Sequence, residues 1–261
     1  MNDTDFNTDF DYNAQASYFS LTDAVPNPRA RIRKFSSASA EAESAAVLSS
    51  TLAAYDDSMT EEDREIFDDT LLYAEIRADQ EFKRESQRRE WYGEYSKALT
   101  MCGWPTVNDP YKEYISSDIK FTMDEAALKI IALVAGVDKL KILPLVSAAF
   151  DSLKKDEGAI KLMESKSKQN NSANFQIVPG LVTNGRLQMV ASGMQLESKS
   201  RIAHVLFFPY SSEDVKLYNA ATRRLLNRRA YNVVKDLVQQ TTDEYRLAYA
   251  RKGLAKVKRD H

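Results

Sequence analysis

Cysteine occurs once in this 261-residue chain, at Cys102, and histidine twice, at His204 and His261. A single cysteine excludes an intramolecular disulfide and suits a reducing compartment. These few residues leave almost nothing from which to assemble a zinc site. Glycine is scarce too: eight residues, spread thinly. Neither a G-x-x-x-x-G-K-[ST] nor a G-x-G-x-x-G phosphate cradle occurs, and there is no H-E-x-x-H. The G-x-S-x-G elbow of a serine hydrolase is also missing. No run reaches the roughly 20 apolar residues of a membrane-spanning helix. The opening stretch, MNDTDFNTDFDYNAQ, has no basic n-region and no apolar h-region, which argues against Sec export. The expectation is a product made in the cytoplasm, with any export by a non-Sec route. No catalytic residue, cofactor or metal site is nominated.

What is present begins with enough apolar material for a core, 43% of residues with 10% aromatic. The net charge of −2 hides an asymmetry. From Val215 to the end, twelve basic residues face four acidic ones, about +8, so the remainder carries about −10. A basic end can meet an anionic surface or dock on the acidic half of its own chain. Residues 1–40 read as a disordered or loosely docked arm: acids first, then Arg29, Arg31, Arg33 and Lys34, with Phe6, Phe10, Tyr12, Tyr18 and Phe19 interspersed. Residues 41–261 read as one α+β body, helical over 41–165, with a meander and closing helix over 174–251.

The helical half starts with an Ala-rich helix from Glu41 to Asp56. Thr60 caps the next helix, whose first turn holds Glu61, Glu62 and Asp63, with Leu71, Ala74, Ala78 and Phe82 as an apolar stripe. In EWYGEYSKALTMCGW, Glu90 to Trp104, the residues Trp91, Tyr95, Leu99 and Cys102 share one helical face. That spacing predicts a core helix ended by Gly103, with Cys102 buried rather than nucleophilic. "TMDE" at Thr122–Glu125 is a capping box. It opens an apolar hairpin of two helices over Ala126–Phe150, stopped once at Gly136. The length of its arms suits buried core helices; the sharper reading is a membrane-inserting hairpin.

After the polar spacer ESKSKQNNSAN the period becomes 2. Phe175–Val182 and Arg186–Leu196 read as strands joined by an Asn184-Gly185 type I′ turn, with a bulge at Gly193. Ile202–Phe208 reads as a third strand and Lys216–Leu226 as a fourth. Asn227 caps a long helix running to about Arg251, whose apolar positions include Tyr231, Val234, Val238, Tyr245 and Tyr249. The expected fold is a helical N-terminal half, an antiparallel meander of 3–4 strands and a long C-terminal helix.

The order of DTLLYAEIRADQEF, EWYGEYSKALTMCGW, FTMDEAALKII and ANFQIVP resembles that in bacterial proteins without a catalytic signature. That resemblance implies a bacterial source and transfers no site residue. Candidate contacts with an anionic surface are Arg223, Arg224, Arg228, Arg229, Lys252 and Lys256. Candidate membrane or partner contacts are Phe207, Phe208 and Tyr210, in AHVLFFPY. The pI of about 5.9 argues against a dedicated nucleic-acid binder. The sequence therefore points to a non-enzymatic interaction protein, a bacterial effector or toxin-like virulence protein binding a protein partner or an anionic membrane surface. The alternatives are a phage-tail or particle assembly subunit and a metal-independent hydrolase.

Overall fold

In the computed structural model the described residues are 10–20, 32–35, 45–84, 86–106, 112–114 and 118–257, with backbone alone for 32–35 and 249–257. Most of the N-terminal arm, including Phe6, Arg29 and Arg31, lies outside them. The elements in chain order are α1 (Tyr12–Ser20), β1 (Ile32–Phe35), β2 (Ala45–Leu48), β3 (Thr51–Tyr55), α2 (Glu61–Glu81), α3 (Arg88–Met101), β4 (Lys112–Tyr114) and β5 (Lys120–Phe121). Then come α4 (Met123–Val134), a 3-10 turn (Gly136–Asp138), α5 (Lys139–Lys155), α6 (Glu157–Ser167), β6 (Lys168–Gln169), β7 (Ser172–Thr183), β8 (Arg186–Ser198), β9 (Tyr210–Ser211), β10 (Val215–Leu225) and α7 (Arg228–Val257).

The main sheet has the order β1-β2-β3-β7-β8-β10-β4, with β6 beside β7; β5 and β9 form a separate ribbon. It is a mixed sheet, a correction to the antiparallel meander. β3 and β7 run parallel, Thr51 opposite Gln176 through Tyr55 opposite Gly180. A parallel pair needs a crossover connection, and the chain between these two strands supplies it through α2 to α6.

The expected helix over Glu41–Asp56 is replaced by β2 and β3, paired through a tight turn in which Ser49 takes a φ of 57°. Both strands are buried throughout. Ala45, Val47, Leu52 and Ala54 face one core, and Ala46, Leu48, Ala53 and Tyr55 the other. A strand covered on both faces is apolar at every position, so its sequence has no alternation to betray it.

The Asn184-Gly185 turn stands as expected, with φ of 52° and 71°. The bulge at Gly193 does not form: β7 and β8 keep register through Gln176 opposite Gly193. Gly193 instead admits the Tyr92 ring, which would lie 2.2 Å from an added Cβ. Ile202–Phe208 is irregular rather than a strand. Its Ile202, Val205 and Leu206 are apolar because they pack into the core beneath the helices, and the Leu206 carbonyl accepts from the Met123 N–H at the start of α4. Helix α6, begun by the Asp156 side chain accepting from the Ala159 N–H at 2.9 Å, reaches into what reads as polar spacer.

Two helical layers cover the sheet. One packs α4, α5 and α6 on one face through Ala127, Ile130, Ile131, Val146, Phe150 and Leu153. The other packs α2, α3 and α7 on the opposite face through Phe67, Leu71, Trp91, Tyr95, Trp104 and Tyr231. The face of α3 inferred from spacing is buried as expected, and Gly103 has a φ of +92°. Asn227 caps α7 by accepting from the Ala230 N–H.

Candidate functional site

The chemistry-bearing side chains of the described structure are mostly tied into the fold. Cys102 is fully buried, and burial pushes its thiol far up, the opposite of an activated nucleophile. Ser50 donates to Glu75 Oε1 at 2.7 Å, and the Arg84 guanidinium reaches both Ser50 and Glu75 while lying 4.2 Å over the Trp91 ring. Burial raises the Glu75 carboxyl despite Arg84. This cluster pins the β2–β3 turn to α2, and the space beside it is about 10 Å³, room for about one water. An open polar groove of about 560 Å³ runs past Arg88, Glu197 and Asp214. Among the described residues no group of three His, Cys, Asp or Glu is placed to hold a metal ion, and no helix is long and apolar enough to cross a membrane.

The arginines singled out from sequence do not form one patch. Arg224 is 1% exposed, and its guanidinium donates to the Trp104 carbonyl at 2.8 Å, to Thr100 Oγ1 and to Ser96. Arg228 is paired with Asp63 across α2 and α7. Arg229 is exposed, with its guanidinium 5.8 Å from the Tyr12 ring. Lys252 and Lys256 lie on the last turns of α7, where side chains are outside the described residues. Tyr210 is buried, its hydroxyl donating to the His204 carbonyl. Phe207 is half-buried between Phe150 and the Lys154 ammonium. Phe208 is 48% exposed, in edge contact with Tyr210.

Arg223 belongs to a different structure, the clasp of the α4–α5 corner. Helix α4 starts where Glu125 Oε2 accepts from the Thr122 N–H at 3.0 Å. It ends before Gly136, whose φ of +59° turns the chain into the 3-10 turn and α5. Asp138 in that turn is buried. Its carboxylate accepts from Gln188 Nε2 at 2.9 Å and Thr183 Oγ1 at 3.3 Å, and Arg223 lies 3.1 Å away. Arg223 Nε also donates to Gln188 Oε1 at 2.8 Å. The corner is thereby fastened to β7, β8 and β10.

Outward from this clasp point three apolar side chains: Leu133 at 71% exposure, Val137 at 87% and Leu140 at 88%. Exposed Lys139 and Lys141 alternate with them. At the opposite end of α4, Ile119 and Phe208 are also exposed, one just before each strand of the β5–β9 ribbon. Sequence reasoning placed Leu133 and Leu140 in a buried hairpin and passed over Val137. The only signal was the apolar residue inside a turn marked by Gly136, where polar residues are expected.

No protein-family model matches the chain, and no curated protein matches it significantly. Among solved structures it is similar to the Evf virulence factor, at 9% identity and a TM-score of 0.39 over 75% of this chain and 78% of that one. A delta-endotoxin aligns at 14% identity and a TM-score of 0.40 over 69% and 85%. These are distant structural neighbours, too remote to carry a function across to this chain.

Proposed function

We propose that this chain is a toxin-like or effector interaction protein that acts by binding a membrane surface. The observation that carries this reading is the set of large apolar side chains displayed together at the α4–α5 corner: Leu133, Val137 and Leu140. Single exposed apolar residues are ordinary, whereas a group rimmed by polar residues marks an interaction site. Burying one Val or Leu side chain is worth about 1.5–3 kcal/mol, so three of them supply ~5–9 kcal/mol before the costs of association. A single myristoyl chain gives an association constant of roughly 10⁴ M⁻¹. On that scale these groups support a reversible surface contact rather than permanent insertion. The test is flotation of the full chain with vesicles of phosphatidylcholine alone and mixed with phosphatidylserine. Co-migration with either is expected; failure with both ends the membrane reading.

A second reading, an assembly subunit, is favoured by Val233, Leu237 and Leu247, exposed along α7 at heptad-compatible spacing. A mass by light scattering above that of the single chain, lost on Val233→Asp with Leu237→Asp, supports that reading.

A further inference from the structure

We infer that the α4–α5 corner is an interfacial anchor for anionic bilayers, with Leu133, Val137 and Leu140 entering the acyl boundary and Lys139 and Lys141 meeting the headgroups. This rests on the membrane-binding reading and assigns it a surface and a lipid class.

Three observations converge on the corner. Its apolar side chains fall within eight residues and each is more than 70% exposed. The charges beside them have one accessible sign: Lys139 and Lys141 are exposed, while Asp138 between them is buried against Arg223. That arrangement complements a negatively charged leaflet, which attracts nearby lysines within a Debye length. The acidic turn at Asp56–Asp57 lies at the same end of the sheet, where the Val182 N–H donates to Ser58 Oγ, but there the chain leads into α2 in the opposite layer. Finally, the clasp from Asp138 to Thr183, Gln188 and Arg223 holds the corner in one shape. A preformed contact loses less conformational entropy when it docks.

The other end of α4 is less suited to the same partner. Ile119 follows exposed Asp118 and its carbonyl accepts from the Ser212 N–H, which precedes exposed Glu213 and Asp214, while Phe208 lies against Tyr210 and the His204 ring. There Lys129 pairs with Asp118 and Lys199 with Asp214, so the charges at that end are of both signs and do not select an anionic leaflet.

The experiment compares four full-length proteins in the flotation assay, with phosphatidylcholine vesicles and with vesicles containing phosphatidylserine, at low and high salt. The original chain is expected to prefer the phosphatidylserine vesicles and to lose that preference at high salt. Val137→Asp with Leu140→Asp is expected to lower binding at least tenfold. Lys139→Glu with Lys141→Glu is expected to abolish the anionic preference. Ile119→Asp with Phe208→Asp is expected to bind within about twofold of the original. No binding by the original chain overturns both the membrane reading and the anchor. Binding by the original chain that the corner variants retain overturns the anchor alone and leaves membrane binding standing. Equal binding to both vesicle types overturns the assigned lipid class. Unchanged melting temperatures in the corner variants separate lost docking from lost folding.

Discussion

The two helical layers on the sheet are fastened in different ways. The α2–α3–α7 layer is laced by polar pairs, each with at least one buried member. Asp63 meets Arg228 and Asp69 meets Arg246 between α2 and α7, Tyr55 donates to Asp68 at 2.6 Å, and Trp104 Nε1 donates to Thr70 at 3.0 Å. The α4–α5–α6 layer lies on the sheet mainly through apolar contact, with polar ties near helix ends: Asp138 with Arg223, Asp124 with Lys154 and Glu164 with Lys168. Buried polar pairs demand one geometry, because a displaced partner leaves a desolvated charge behind. The first layer is a scaffold. The second leaves a corner of its hairpin uncovered for display.

The comparison can be broken first at Trp91, which is buried, stacked on Tyr95 and hydrogen-bonded through Nε1 to Asp79 at 2.8 Å. Trp91→Ala should cost about 3–5 kcal/mol in chemical denaturation. A neutral result would mean that the scaffold layer is not held by its stacked and hydrogen-bonded tryptophan.

A smaller effect tests the polar lacing. Burial works against ionisation of Asp63, but the Thr60 hydroxyl and N–H and then Arg228 outweigh it and hold the carboxyl below the usual carboxylate range. A carboxyl lowered on folding stabilises above its unfolded pKa, near 4, and loses that contribution as pH falls through the folded value. Asp63→Asn should therefore cost about 1–3 kcal/mol at pH 7, with the gap to the original closing in strong acid. Asp69 has the opposite sign, since burial, only partly offset by Arg246, raises its carboxyl. Its contribution favours the fold in acid and declines as pH rises through the folded value. A gap for Asp63→Asn that is constant from pH 7 to pH 2 would disprove the charge-based account of the α2–α7 clamp.

The smallest expected change sharpens the contrast. Val137→Asp with Leu140→Asp should leave unfolding free energy within about 0.5 kcal/mol of the original, because both side chains already meet water. A loss comparable to that of Trp91→Ala would place the corner in the scaffold.

How much was legible in the sequence depends on whether the deciding interaction was local. The starts of α2, α4 and α7 were readable at Thr60, Thr122 and Asn227, and the end of α3 at Gly103, because a cap involves residues within one turn. The β7–β8 hairpin was readable at Asn184-Gly185 for the same reason. Local pattern misread β2 and β3, whose Ala-rich run satisfies a helix until two cores enclose it. It misread Ile202–Phe208, where apolar side chains serve a loop packed under helices. Of the candidate surface arginines, only position in the fold revealed that Arg224 faces inward and that Arg223 clasps Asp138.

The sequence by itself determined the mixture of helix and strand, the helix caps, the hairpin turn, the core face of α3 and the burial of Cys102. These follow from spacing and from backbone groups satisfied within a few residues. The tertiary structure decided the parallel β3–β7 pair, the division of the apolar residues between two cores and the exposure of Leu133, Val137 and Leu140. Those depend on which surfaces meet across more than a hundred residues of chain, and a side chain's hydrophobicity does not say whether another element will arrive to cover it.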